Sequence, residues 1–369
     1  MDRRPGGTVS EPLPRPPSPP AASSAAATPP QTIGEVLQKT QRFFADRGLD
    51  SPRADALLLI GHALGLERMQ LLLQHDRPLT EAELGAVREG VRRRARREPT
   101  HLIIGERGFF TVDLKVVPGV LLPRSDTERL VEAALQWLPK DAPAFVADIG
   151  CGSGAIGLTL AHERPQLRVY CVDLAAEALA CTKDNVARLG LAERVAVLRG
   201  DLLTPIPAER PIDVVVSNPP YIPTADIAGL DPEVRDFEPH LALDGGADGL
   251  AVYRRLLPLA AARAREAVLV EIGWDQGPAV CALAAEAGLQ GVELLKDYGG
   301  RDRVVRGWVR GARWRPAPPA APDELPTARA PAGEPEAVGA DAAAGALTVE
   351  MFHAEQDPEM DALPVFNRD

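Results

Sequence analysis

The sequence predicts an α/β protein whose main domain is a doubly wound, mostly parallel sheet, with a helical bundle and a β-rich connector before it. Helical and apolar strand patterns alternate from about Pro123 to Trp308, which is typical of parallel sheets covered by helices. Apolar residues recur with helical period over residues 31–98. Short β-type runs broken by glycine and proline fill residues 101–122.

The N-terminal part divides into an extension and a bundle. Residues 1–30 contain nine prolines among many Ala and Ser residues, so we expect them to be disordered. Residues 31–98 are expected to form a small helical domain, with breaks or starts marked by Pro52, Pro78 and Pro99. The apolar positions that predict its helices are Ile33, Val36, Leu37, Ala56, Leu57, Leu59, Ile60, Leu71 to Leu73, Leu84 and Val87.

The last helix of this bundle is strongly basic. Its arginines are Arg88, Arg92, Arg93, Arg94, Arg96 and Arg97. Such a cluster can steer an acidic protein partner or contact RNA, and it can equally be a solvated helix face. The sequence leaves these alternatives open.

The remaining boundaries follow from composition. We predict a β-hairpin connector at residues 99–122, a catalytic domain at 123–311 and a disordered acidic tail at 312–369. Residues 316–369 carry eleven acidic and two basic residues, so most of the net charge of −11 belongs to the tail. The closing strands of the sheet are expected from Asp297 through Val309.

Composition also excludes several classes of protein. The four cysteines contain no C-x-x-C pair, so neither a zinc site nor a disulfide framework is predicted, and reduced thiols indicate a cytoplasmic protein. No apolar run reaches membrane-spanning length, and the first thirty residues lack the apolar core of a secretion signal. We expect no metal, no membrane association and a monomer.

The most informative motif is Asn218-Pro219-Pro220-Tyr221, which follows the apolar run 214–216. It is therefore placed at the carboxyl end of a buried strand, where open α/β sheets bind ligands. Two prolines make the loop stiff. The Asn218 oxygen and the Pro219 carbonyl can each accept one N–H of an amino group, and the Tyr221 ring can cover it. The alternative is a turn that closes a strand, with Asn218 capping its own loop.

A glycine-rich turn lies seventy residues earlier, where a predicted strand that contains Asp148 runs into the turn and a helix follows. The turn reads Gly150-Cys151-Gly152-Ser153-Gly154, and glycine lets the backbone approach a ligand closely. Its G-x-G-x-G spacing differs from the pyrophosphate fingerprint G-x-G-x-x-G, although Gly152, Gly154 and Gly157 fit that pattern too. Asp148 would repel a pyrophosphate and suits a cationic ligand.

Two further strands end in carboxylates. Residues 167–172 lead to Asp173, which can accept both hydroxyls of a ribose, and residues 195–198 lead to Asp201 and Leu202. Asp201 can accept from an adenine amino group while Leu202 packs on the ring. Either aspartate can equally be a helix cap.

These residues resemble a class I S-adenosylmethionine-dependent methyltransferase, and further strings resemble the HemK/PrmC family across residues 33–311. The strings are P-R-S-D-T-E at 123–128, F-E-P at 237–239, A-L-D-G-G-A-D-G-L at 242–250, V-E-I-G at 270–273 and D-Y-G-G-R-D-R-V-V-R-G at 297–307. One departure is Ser125, where the family usually has a second proline, so we expect a slightly looser loop.

The resemblance implies a Rossmann-like seven-stranded sheet with one antiparallel edge strand and S-adenosylmethionine as methyl donor. It implies donor binding by Asp148, Gly150, Cys151, Gly152, Ser153, Gly154, Asp173, Asp201, Leu202 and Asn218. The residues expected to bind the acceptor are Asn218, Pro219, Pro220, Tyr221, Arg124 and Leu121, the first four being the catalytic motif. Core burial is the alternative for Leu121.

The family methylates the side-chain amide of the glutamine in the Gly-Gly-Gln motif of peptide chain release factors, and its N-terminal domain grips the release factor. An amide nitrogen is a poor nucleophile because its lone pair is shared with the carbonyl, so orientation must supply much of the acceleration. Two alternative substrates remain: a glutamine of a large-subunit ribosomal protein, and the amino group of a nucleic-acid base. The second is disfavoured because the strong arginine cluster lies in the helical bundle and the core carries a slightly negative charge, whereas base-flipping enzymes need a basic cleft.

Overall fold

The computed structural model describes residues 31–312 of the 369-residue chain. The predicted extension at 1–30 and nearly all of the predicted acidic tail lie outside these residues. Searched over residues 31–312, the chain has no helix with the length and apolar character that a membrane span requires.

The N-terminal helical domain begins with four helices: α1 (Ile33–Asp46), α2 (Pro52–Leu64), α3 (Arg68–Leu73) and α4 (Glu81–Ala95). Capping boxes start α1 and α4, where Thr32 and Thr80 each accept from the backbone N–H three residues on. Pro52 is the first residue of α2, where its missing N–H has no cost. Most of the apolar residues that predicted these helices are buried in the core of the bundle: Ile33, Val36, Ala56, Leu57, Leu59, Ile60, Leu71, Leu84 and Val87.

Helix α3 contributes less to that core than its sequence suggests. Only Leu71 is buried there, whereas Leu72 and Leu73 are 40% and 77% exposed. An α-helix has about 3.6 residues per turn, so three consecutive leucines point in different directions and cannot all face the core.

The connector differs from the prediction at its start. Residues 100–104 form a short helix, α5 (Thr100–Ile104), which ends at Gly105 in a left-handed conformation. The hairpin follows as β1 (Glu106–Phe109) and β2 (Val112–Lys115), paired antiparallel. The β-rich prediction for 101–122 was therefore wrong over 101–104, because Pro99 starts a helix there.

The main domain is a seven-stranded sheet with helices packed around it. Its strands are β3 (Ala144–Ile149), β4 (Leu167–Asp173), β5 (Val195–Arg199), β6 (Val214–Ser217), β7 (Ala267–Glu271), β8 (Gln290–Lys296) and β9 (Asp302–Trp308). Its helices are α6 (Glu128–Trp137), α7 (Ala155–Glu163), α8 (Ala176–Arg188), α9 (Pro232–Arg235), α10 (His240–Leu243), α11 (Ala251–Arg263) and α12 (Gly277–Glu286). The strand order is β5-β4-β3-β6-β7-β9-β8.

Strands β3 to β7 are mutually parallel, which confirms the predicted fold class. Their carboxyl ends therefore share one edge of the sheet, and the reversal of strand order between β3 and β6 opens a crevice there. Two apolar cores, one on each face, hold the helices against the sheet.

The closing strands differ from expectation in two respects. Strand β8 begins at Gln290, and the predicted start at Asp297 lies in the turn between β8 and β9. The antiparallel strand is β9, which lies inside the sheet between β7 and β8 and is not at the edge. After helix α12 the chain forms β8 at the edge of the sheet. It then turns back, and β9 pairs with β7 on one side and β8 on the other.

A buried arginine joins the helical domain to the main domain. Arg94 of α4 donates to Asp55 of α2 at 2.9 Å and to Glu233 of α9 at 3.0 Å, and its side chain is only 8% exposed. Arg97 also pairs with Glu233, at 3.2 Å. The two arginines therefore fix α4 against the segment that follows the Asn218 loop.

The basic face of α4 is largely compensated within the protein. Its further ion pairs are Arg88 with Glu81, Arg92 with Glu89, and Arg93 with Glu98. The positive charge available to an acidic partner or to RNA is smaller than the sequence suggests.

Replacing Arg94 by alanine is expected to destabilise the protein by about 3–5 kcal/mol, because the change leaves Asp55 and Glu233 without their buried partner. Denaturant unfolding measures this free energy. Arg92→Ala is the matched control on the same helix: its pair with Glu89 is partly exposed, so we expect a loss of about 1 kcal/mol or less. Equal losses in the two variants would contradict a structural role for the Arg94 junction.

Candidate functional site

A cavity of about 560 Å³ lies at the carboxyl edge of the sheet. The loops after four parallel strands supply much of its wall, through residues 149–153 after β3, 172–175 at β4, 200–202 after β5 and 217–220 at β6. Residues 119–124, which follow the hairpin, close another side. The sequence predicts a site at the ends of these same strands.

The contacts of the loop between β3 and α7, and of the helix that follows, leave little room for side chains larger than glycine. Gly152 has φ +57°, and its N–H donates to the Asp173 carboxylate at 2.9 Å. A Cβ on Gly157 would lie 2.9 Å from Asp148 Oδ2 and 3.0 Å from Cys171 Sγ. Glycine at 157 thus lets α7 pack directly on β3 and β4.

Asp148 lies beneath this loop and does not line the cavity. It is fully buried, and its Oδ2 accepts from the Gly157 N–H at 2.8 Å. Its Oδ1 has no hydrogen-bond partner within residues 31–312. The pKa of Asp148 is raised to about 7, mainly by burial; the nearby Asp173 charge acts in the same direction, and the Gly157 hydrogen bond opposes both.

This raised pKa predicts a pH dependence of stability. The folded protein holds the Asp148 proton more tightly than the unfolded chain, so protonation stabilises the fold below about pH 4 and that gain is lost as pH rises through about 7. Asp148→Asn cannot titrate and keeps an acceptor for Gly157. We expect thermal unfolding midpoints to fall less steeply with pH in this variant, with the two proteins converging at low pH. An unchanged slope would show that Asp148 does not hold a proton in this range.

Asp173, at the end of β4, is fixed by backbone donors. Its Oδ2 accepts from Gly152 and its Oδ1 from Ala175, each at 2.9 Å. A carboxylate oxygen can accept more than one hydrogen bond, so both oxygens can still take a pair of ligand hydroxyls. Asp173 is half-buried in the cavity wall, and its role in binding a ribose stays a prediction.

The next wall segment contains a strained residue. Leu202 has φ +51°, an unusual conformation for a branched side chain that costs about 1–3 kcal/mol. It is 9% exposed and lines the cavity beside Asp201. Asp201 forms an ion pair with Arg255 of α11, which lines the cavity as well. Sequence reasoning missed Arg255, because no local pattern connects α11 with β5.

Asn218 is held by a residue far away in the sequence. Its Nδ2 donates to Thr127 Oγ1 at 3.2 Å, across a separation of 91 residues. In this orientation the Asn218 Oδ1 is left to accept from a ligand, since no residue in 31–312 donates a hydrogen bond to it. Asn218, Pro219 and Pro220 all line the cavity. A Cβ on Gly150 would lie 4.0 Å from the Asn218 carbonyl oxygen, so the two loops are neighbours.

Tyr221 occupies a different position from the other three residues of the motif. It does not line the cavity, and it packs partly buried against the apolar core that surrounds Tyr253. Its carbonyl accepts from Gln276 Nε2 at 2.9 Å, which ties the loop to the start of α12. Desolvation raises the pKa of the Tyr221 hydroxyl to about 12, so this hydroxyl is neutral and no general base at ordinary pH.

The segment 123–128 contacts several separate elements. Arg124 donates to the buried Glu238 at 2.6 Å, Asp126 pairs with Arg303 at 3.2 Å, and Glu128 accepts from the Phe110 N–H at 3.1 Å. Ser125 is exposed and starts the 3-10 turn at 125–127. The segment therefore links the hairpin, β9 and the loop after α9 around the cavity.

Most of the predicted residues come together. Those that line the cavity are Leu121, Arg124, Gly150, Cys151, Gly152, Ser153, Asp173, Asp201, Leu202, Asn218, Pro219 and Pro220. Asp148, Gly154 and Tyr221 do not line it. The functional roles assigned to all of them stay predictions. A search of residues 31–312 for three or more clustered metal-binding side chains finds none.

Two family models match the chain. The PrmC N-terminal domain matches residues 35–105, and the methyltransferase small domain matches residues 128–228. The first begins within α1 and ends after α5, and the second spans the glycine loop and the Asn218 loop.

Curated relatives match much more of the chain. The release factor glutamine methyltransferase of Moorella thermoacetica is 45% identical over 282 residues, which cover 76% of this chain and 99% of the relative. That of Geobacter sulfurreducens is 42% identical over 280 residues, covering 75% and 97%.

Among solved structures, a release factor-specific protein-(glutamine-N5) methyltransferase from Alicyclobacillus acidocaldarius is 31% identical. It covers 53% of this chain and 98% of its own, with a TM-score of 0.33. On the identity and coverage of the curated relatives, the chain belongs to the HemK/PrmC family of release factor glutamine methyltransferases and is a methyltransferase.

Proposed function

We propose that this protein transfers a methyl group from S-adenosylmethionine to the side-chain amide nitrogen of the glutamine in the Gly-Gly-Gln motif of peptide chain release factors. The observation that carries the proposal is one cavity that contains both Asp173 with the glycine loop and the Asn218-Pro219-Pro220 loop. A methyl donor and an amide acceptor would then meet inside it. The names of the curated relatives support the choice of acceptor.

The residues present fit the methyl donor. Asp173 offers two fixed carboxylate oxygens for ribose hydroxyls, and Asp201 with Leu202 offers an acceptor and an apolar surface for a purine. Asp148 does not line the cavity, so it is not among the residues that would contact the donor. When bound, S-adenosylmethionine supplies a methyl group that is already strongly electrophilic. The protein must therefore supply mainly orientation.

Asn218 and Pro219 would provide this orientation for the acceptor. The Asn218 Oδ1 and the Pro219 carbonyl accept one N–H each from the glutamine amide, which directs the nitrogen toward the methyl group. The same acceptors stabilise the positive charge that develops on nitrogen. The two prolines keep both acceptors in place, because their φ angles are fixed. The methylated nitrogen is acidic and loses its proton to water, so no general base is required.

We propose a matching division of labour between the domains. Residues 31–98 would recognise the release factor, and residues 123–311 would carry out the transfer. The Arg94 and Glu233 contact would then hold the recognition domain at a defined position relative to the cavity.

The test is transfer of a labelled methyl group from S-adenosylmethionine to purified release factor. The parallel acceptors are the Gly-Gly-Gln→Gly-Gly-Ala variant, ribosomal protein of the large subunit and duplex DNA. Label on release factor that disappears in the variant supports both the reaction and the residue. Label on ribosomal protein alone keeps the chemistry and changes the acceptor, whereas label on DNA overturns the proposal.

A further inference from the structure

The orientation of the Asn218 amide decides what it can do. With Oδ1 toward the acceptor, the side chain accepts a hydrogen bond from an NH2 group, whereas a flipped amide presents a donor and repels it. Shape alone does not favour one orientation, because the oxygen and nitrogen of an amide are nearly the same size. Another group must specify it, and the contact at 3.2 Å is with Thr127 Oγ1.

A hydroxyl group can either donate to or accept from an amide, so Thr127 specifies the orientation only if its own proton is engaged elsewhere. A side-chain hydrogen bond joins Thr127 to the carboxylate of Glu271, at the carboxyl end of β7. Because an ionised carboxylate can only accept, Thr127 is the donor whenever Glu271 is charged. The hydroxyl oxygen then has only lone pairs to offer Asn218. This leaves Nδ2 as the partner of Thr127 and Oδ1 for the acceptor.

Within residues 31–312, Thr127 is the hydrogen-bond partner of the Glu271 carboxylate. Glu271 is 1% exposed, and its Oε2 lacks a hydrogen-bond partner in the described part of the chain. The buried hydroxyl of Tyr253 donates to the backbone carbonyl of Glu271 at 2.7 Å and not to its side chain. The neighbouring Arg303 is paired with Asp126 and Asp297, each at 3.2 Å. A buried carboxylate without its own cation is costly, which argues against a purely structural role.

We propose that Glu271 is a positioning residue for methyl transfer, acting through the Thr127 hydroxyl to hold the Asn218 amide with its oxygen toward the acceptor nitrogen. This inference rests on the proposed function and adds two residues to its machinery. Ionised Glu271 enforces the productive orientation. Neutral Glu271 can itself donate to Thr127, whose proton is then free to donate to a flipped Asn218.

The surroundings of Glu271 set the pH at which it changes from neutral to ionised. The pKa of Glu271 is raised to about 7, mainly by burial; the Thr127 hydrogen bond opposes this increase, and charges from two elements and a loop contribute in both directions. Those charged groups are Arg303 of β9, Asp126 of the 3-10 turn and Arg124 of the loop before it, while the hydroxyls of Tyr221 and Tyr253 also face Glu271. We therefore expect kcat to rise with pH through about 7.

Three variants test the relay by steady-state kinetics with release factor as acceptor. Thr127→Val keeps the shape and removes the hydroxyl, and we expect about a tenfold lower kcat with KM for release factor and affinity for S-adenosylmethionine within about twofold. Thr127→Ser should restore most of that loss. Glu271→Gln cannot titrate, so its kcat should lose the rise near pH 7. An unchanged kcat in Thr127→Val, or a retained rise in Glu271→Gln, would overturn the proposal.

A second readout does not depend on activity. The chain contains three asparagines, Asn185, Asn218 and Asn367, so selective nitrogen-15 labelling of asparagine gives three side-chain amide signals. The Asn218 signal, assigned by its loss in Asn218→Ala, should shift with a midpoint near pH 7 and should not do so in Glu271→Gln. If the titration is present but release factor is not methylated, the relay stands and the proposed acceptor fails. A pH-independent Asn218 signal in the unaltered protein refutes the relay.

Discussion

Asn218→Ala is expected to reduce kcat for methyl transfer by about 10²–10³-fold, the loss typical of removing one preorganised hydrogen-bonding group from a reacting centre. The variant lacks the Oδ1 acceptor and leaves the amide nitrogen of the substrate free to turn away from the methyl group. Single-turnover transfer to release factor measures the chemical step without product release.

Stability provides the control for this variant. Asn218 is half-buried, and its side chain makes one hydrogen bond within the described chain, to Thr127, so we expect a stability loss of about 1 kcal/mol. A matching fall in thermal stability and activity would show a folding defect. Full activity in a stable variant would exclude Asn218 from the reaction.

Asp173→Ala is expected to weaken the binding of S-adenosylmethionine by about 10²-fold or more. Hydrogen bonds to a charged group contribute about 1.5–3 kcal/mol each, and the variant would lose the two ribose contacts proposed above along with the anchor of Gly152. Calorimetric titration of the donor in the absence of release factor measures the dissociation constant directly.

Two further variants separate the contact from general effects. Asp184→Ala removes an exposed carboxylate of α8 that pairs with Lys115 at 2.7 Å, and it should leave donor affinity unchanged. Asp173→Asn can accept from only one of the backbone donors Gly152 and Ala175, so we expect an intermediate loss. Wild-type affinity in Asp173→Ala would place the ribose elsewhere in the cavity.

Much of the fold could be predicted because its signals are local. A strand buried on both faces is a short apolar run, and 214–216 is read as such without knowledge of its neighbours. Parallel strands place their carboxyl ends together, so Asp173, Asp201 and Asn218 could be assigned to one edge before any contact was known.

The predictions were wrong where the structure depends on how elements distant in the sequence pack together. Strand β9 lies inside the sheet because it, and not β8, pairs with β7. The sequence does not distinguish the two strands of the closing hairpin as partners of β7. Asp148 lies one residue before the end of β3, much as Asp173 ends β4, yet it is fully buried beneath the loop. Its side chain faces the helix that packs on the sheet, and strand periodicity does not show which face has a cavity.

The sequence by itself determined the fold class, the glycine loop and the stiff loop that begins at Asn218, because each depends on residues adjacent along the chain. Tertiary structure alone decided which partners complete them: Thr127 for Asn218 across 91 residues, and Arg94 for Glu233 across 139. Such contacts depend on how whole elements pack, and a polar side chain buried at an element's end takes whichever partner that packing brings near. The orientation of the Asn218 amide belongs to this second group.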